Sequence, residues 1–225
     1  MSLPNKLSKN VIGAGIGYAG IKFASLVKIS FIVGSVMAFF SGTSVAIPLI
    51  GAFTGLFGTV AVFCLRLSFH TLVNGSFALS YLAYHIPGLC ASAYWASESK
   101  LIRLILPAVC MIAFMVHPIG GQAFVYSLYW LIPIALYFVS RKTVFMHAIS
   151  STFIAHAVGS VLWLYSVPMT AQQWLSLIPV VAIERMLIAT SMAVAYHAIS
   201  YTRNHHKQMI STLFTYIIPA HANQR

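Results

Sequence analysis

The chain is a succession of apolar blocks parted by short polar junctions. Seven blocks run roughly over 26–41, 45–65, 69–96, 103–117, 123–140, 144–165 and 173–201. An α-helix needs about 20 apolar residues to cross the hydrocarbon core of a bilayer, and most of the blocks approach that length. The first is short and the fourth barely sufficient, so both must borrow flanking residues or bend the bilayer locally. No sequence repeat and no separate soluble domain interrupts the pattern. It predicts an all-α integral membrane protein with one polytopic domain over 1–225. A basic, Gly-rich segment (1–25) opens the chain and a basic tail (202–225) closes it.

The basic residues give an orientation. Lys6, Lys9, Lys22 and Lys28 precede block one, and Arg66 follows block two. Lys100 and Arg103 precede block four, Arg141 and Lys142 separate blocks five and six, and Arg203 and Lys207 follow block seven. The junctions 41–47, 117–122 and 166–173 carry no Lys or Arg. By the positive-inside rule the basic junctions are cytoplasmic and the bare ones external. With Arg66 and Lys100 both inside, block three must cross an even number of times, yet it is too short for two full helices. It contains Asn74 and Gly75 and then, in its middle, His85-Ile86-Pro87-Gly88, where proline and glycine break a helix. The expectation is six transmembrane helices plus a broken or re-entrant hairpin over 69–96, with both termini cytoplasmic. The alternative is seven helices, block three being one kinked crossing. Small residues spaced four apart mark packing faces: Gly34 and Ala38, then Gly51, Gly55 and Thr59, then Ala189 and Ala193.

Composition sharpens the class. Of 225 residues 60% are hydrophobic and 7% charged, which excludes a soluble domain of this size. The net charge of +11 is scattered between blocks, so it speaks for orientation in a bilayer and against nucleic acid. Cys64, Cys90 and Cys110 lie in apolar stretches without CxxC spacing and read as small buried side chains.

Candidate chemistry centres on Trp174–Tyr201, where Glu184 and Arg185 stand side by side in mid-block. A charge at the bilayer centre costs about 2.5–3.5 kcal/mol on insertion scales, so something must compensate it. Measured from Thr170 in the loop joining blocks six and seven, His156 lies as far back as Glu184 lies forward, which sets them at one depth. Block five brings Tyr126, Tyr129 and Trp130 to comparable depth. Neighbouring helical residues point about 100° apart, making Glu184 a poor partner for Arg185. Arg185 is therefore expected to lack a protein carboxylate and to accept one, or a phosphate, from a ligand. Trp163, His117 and Gln122 from the external side, and His85 from the hairpin, complete the expected pocket.

No HExxH, Walker A sequence or close carboxylate pair is present, so neither an enzyme nor a cofactor is expected. Six helices with cytoplasmic ends, small size, the Gly34/Ala38 face and external loops over a pocket together resemble the S components. These are the substrate-binding membrane subunits of energy-coupling-factor transporters, which take up vitamins and related micronutrients. The stretch that begins at Ala46, with IPLIGAFTGLFGTVAVFCLRL from Ile47 onward, is similar in texture to their second helix. The first-helix motif stands here as Gly34/Ala38 and not as alanines. The resemblance spans 29–201 and carries over no ligand residue. It implies an inner-membrane uptake protein that binds a small anionic or zwitterionic nutrient in a pocket open to the outside. Energy would come from a separate transmembrane coupling subunit with ATPases. Two other classes stay open: a structural or assembly protein whose charge pair fixes packing, and a histidine-using membrane redox protein.

Overall fold

The computed structural model describes residues 15–26, 28–29, 40–75 and 79–217. Helix α1 covers 15–24. Strands β1 (Lys28–Ile29) and β2 (Phe40–Ser41) pair antiparallel, Lys28 opposite Ser41. Then come α2 (Gly42–Asn74), α3 (Leu79–Ala96) and a π-helical turn (Leu101–Ile105) running into α4 (Leu106–Val116). The short α5 (Pro118–Gln122) and α6 (Phe124–Ser127) lead through a 3-10 turn (Leu128–Trp130) to α7 (Leu131–Tyr137). Last are α8 (Val144–Ser166), α9 (Ala171–Ser176) and α10 (Ile178–Ile217). Gly34 and Ala38, residues 1–14 and the tail beyond 217 lie outside the described residues.

This is an all-α membrane protein. By length and composition Gly42–Asn74, Val144–Ser166 and Ile178–His206 each suffice to cross a bilayer, and Leu101–Val116 and Phe124–Tyr137 are shorter apolar helices. Exposed Leu101, Ile105, Val109, Ile112 and Val116 recur every three or four residues, so one helix face offers only apolar side chains to its surroundings. Water would penalise that stripe and lipid does not.

Helix α2 is not one rod. Gly55 has φ 68° and ψ −168°, a left-handed backbone that only glycine adopts without strain. There the chain doubles back. A straight helix would hold Ile50 and Val62 about 18 Å apart. Instead both side chains lie within 4 Å of the point where a Cβ on Gly17 would stand. Helix α3 records the reversal: Ile47 meets Gly88 and Gly51 meets Ser92 on the way in. On the way out Thr59 bonds Ser92 (2.9 Å) and Arg66 meets His85 (3.5 Å). The Gly51 contact is so close that a Cβ there would fall on the Ser92 carbonyl oxygen.

Several expectations are corrected here. The helix break assigned to residues 85–88 is absent, because α3 runs unbroken through Pro87. The proline ring packs beside Gly159 on α8 at ordinary van der Waals distance. The breaks fall instead at Gly55 and after Asn74, so the doubled-back element is α2, and block three is divided between the last turns of α2 and the whole of α3. Block one is not helical at either end, since Lys28–Ile29 and Phe40–Ser41 are strands. Arg66 is not a flanking charge but lies inside α2. Arg103 is not one either: it is 2% exposed. Two markers of the loop-charge argument are thereby lost. Block seven begins as two helices, with α9 opened by a Thr170/Gln173 capping box.

Candidate functional site

An aromatic cluster forms one wall. Phe114 packs on Tyr126, Trp130 and Trp174 with ring centroids 5.5, 5.3 and 5.2 Å apart. Each such pair adds about 0.5–1.5 kcal/mol beyond area burial. In front of this wall lies a cavity of about 530 Å³, bounded by both limbs of α2, by α3, α8 and the α9–α10 junction. That volume is within the range typical of small-molecule sites, roughly 300–1,000 Å³.

The polar groups of the cavity form two networks. In the first, Arg185 Nη2 pairs with Glu184 Oε1 at 2.8 Å, and Arg185 Nη1 donates to Thr152 Oγ1 (3.1 Å) and to the Thr152 carbonyl (3.4 Å). In the second, Trp130 Nε1 donates to His156 Nδ1 (3.2 Å), and His156 Nε2 meets the Tyr126 hydroxyl (2.8 Å). A donor on Nδ1 makes the neutral ring the Nε2–H tautomer, which donates to the tyrosine oxygen. The Tyr126 proton is then left for Ser160 Oγ, 3.3 Å away. A third polar point is Arg66 with His85.

The structure brings most of the expected residues together. Arg185, Glu184, His156, Tyr126, Trp163 and His85 all line the cavity. Trp130 stands directly behind His156. Tyr129 donates to the Ile178 carbonyl (2.9 Å) and fixes the first turn of α10. His117 and Gln122 are elsewhere. His117 Nδ1 accepts from the Ile119 backbone, its ring meets Tyr165 edge-on, and it lines a separate cleft with residues 164–170. Gln122 is exposed at the end of α5. Of the junctions expected to close the pocket, only 41–47 contributes, through Thr43, Ser44 and Ile47, and it does so as the first turns of α2.

The expected lone arginine is corrected too. Arg185 does have a protein carboxylate, because its long stem bends across the 100° between neighbouring side chains and reaches Glu184. The pair is nonetheless beside a hollow, with 13% and 24% of the two side chains exposed. Arg66 was missed as a site residue because its charge appeared to end block two. The signal was present: apolar sequence resumes at once in Leu67-Ser68-Phe69 and runs on to Val73. Among the described residues no group of three or more His, Cys, Asp or Glu could hold a metal ion. Set against known protein families, curated proteins and solved structures, the chain matches none.

Proposed function

We propose that the protein is a multi-pass uptake protein of the inner cell membrane. It binds a small anionic or zwitterionic nutrient, vitamin-like in size, in this cavity and performs no chemistry on it. The observation that carries the reading is the hollow itself: about 530 Å³ beside an ion pair about two turns into α10. Charges held at membrane depth are costly and tend to serve a ligand or ion path. Rings from Tyr84, Tyr126, Trp163 and Trp174 supply the apolar contact area, and Glu184, Arg185, His156 and Arg66 supply direction. The resemblance to S components adds cytoplasmic termini, a transmembrane coupling subunit and ATPases.

A second reading has its own support. Thr152 ties Arg185 to α8 and Glu184 neutralises it, as in a pair that only fixes helix packing. One experiment separates the two. The protein is purified in detergent and retained small molecules are identified by mass spectrometry, for the wild type and for Glu184→Gln and Arg185→Ala. The uptake reading expects a retained compound that folded variants lose. A folded wild type with no retained compound, alongside variants that are merely less stable, supports the packing role instead.

A further inference from the structure

The chain contains two acidic side chains, Glu98 and Glu184, and both are committed to arginines. Glu98 pairs with Arg103 and Glu184 with Arg185. Arg66 also lines the cavity, and no side-chain carboxylate remains for it. Its one hydrogen-bond partner among the described residues is His85 Nε2 at 3.5 Å, a long contact to a neutral acceptor. Summed over the lining residues, with histidines neutral, the cavity carries one uncompensated positive charge, and it sits on Arg66. At the other pole Glu184 uses Oε1 for Arg185, and Oε2 has no partner among the described residues.

We propose that Arg66, with His85 beside it, is the anion seat of the cavity, and that the ligand is a planar monoanion. This rests on reading the cavity as a ligand site. The ligand's carboxylate pairs with the Arg66 guanidinium, whose two-pronged geometry suits that group. Its flat body lies against the aromatic rings, and a neutral O–H or N–H at its far end donates to Glu184 Oε2. A monoanion brings the cavity to neutrality, whereas a zwitterion leaves the excess charge in place. Arg185, already neutralised, is the spacer that holds Glu184 in position.

The test uses benzoate, 4-hydroxybenzoate and the zwitterion 4-(aminomethyl)benzoate on the purified full chain, each titrated against sodium chloride at equal ionic strength. In detergent the melting midpoint rises by about 3 °C with 4-hydroxybenzoate, less with benzoate and least with the zwitterion. Arg66→Gln folds and abolishes the rise; Lys100→Gln, which removes a positive charge outside the cavity, keeps it. Failure of Arg66→Gln to fold overturns the proposal, because it would make Arg66 a structural residue. No rise beyond chloride, or the largest rise with the zwitterion, overturns it as well. A rise lost in Arg185→Gln and kept in Arg66→Gln overturns the seat yet leaves the nutrient-binding reading standing. A rise seen in detergent and absent in phosphatidylcholine nanodiscs identifies lipid phosphate as the occupant and overturns the soluble monoanion.

Discussion

Arg103 and Arg66 are both held within apolar helices, and they have opposite surroundings. Arg103 is enclosed. It pairs with Glu98, donates to the Ser97 and Tyr94 carbonyls at 3.0 and 3.1 Å, and lies over the Tyr94 ring at 4.6 Å. It closes the C-terminal end of α3, whose last carbonyls have no helical partners. Arg66 has one long contact and a hollow in front of it. The same side chain thus serves structure where each guanidinium nitrogen meets a protein group, and points to a guest where most of the guanidinium is left over. Arg185 stands between them, paired but still bordering the cavity.

That contrast can be broken at several points. Both regions depend on α3, and α2 reaches α3 only because residue 51 has no side chain. Gly51→Ala should cost about 3 kcal/mol through overpacking, seen as a lowered thermal midpoint and loss of ligand retention. An unchanged midpoint would mean that α2 and α3 can part at residue 51 without cost. Arg103→Met comes next, at about 2–3 kcal/mol for two charge-assisted hydrogen bonds. Any retained ligand should stay bound; a change in affinity without loss of stability would make Arg103 part of the site and erase the contrast. Tyr126→Phe should cost about 1 kcal/mol by leaving the His156 Nε2 proton without its acceptor. Equal stability, measured by the same melts, would mean that water replaces the hydroxyl at no cost. Arg66→Gln should have the smallest effect on the ligand-free protein, within about 0.5 kcal/mol or slightly stabilising. A large destabilisation would place Arg66 in the same class as Arg103.

The sequence by itself determined the material of this protein. Hydropathy is a sum along the chain, so the apolar blocks, the membrane class and the predominantly helical architecture were legible in it. Helical rise is equally local, and counting residues from Thr170 brought His156 and Glu184 to one depth; both line the cavity. Tertiary structure decided the rest. Whether Arg185 reaches Glu184, and whether Arg66 is left without an acid, depends on rotations and side-chain reach that no residue count contains. The fold-back at Gly55 escaped notice because a glycine in an apolar run reads equally as a packing contact or as a reversal of the backbone. Only Gly17, Ile50 and Val62 meeting in space distinguish the two. Charge pairing and chain reversal are non-local, set by which surfaces meet, and that information appears only once the helices have packed.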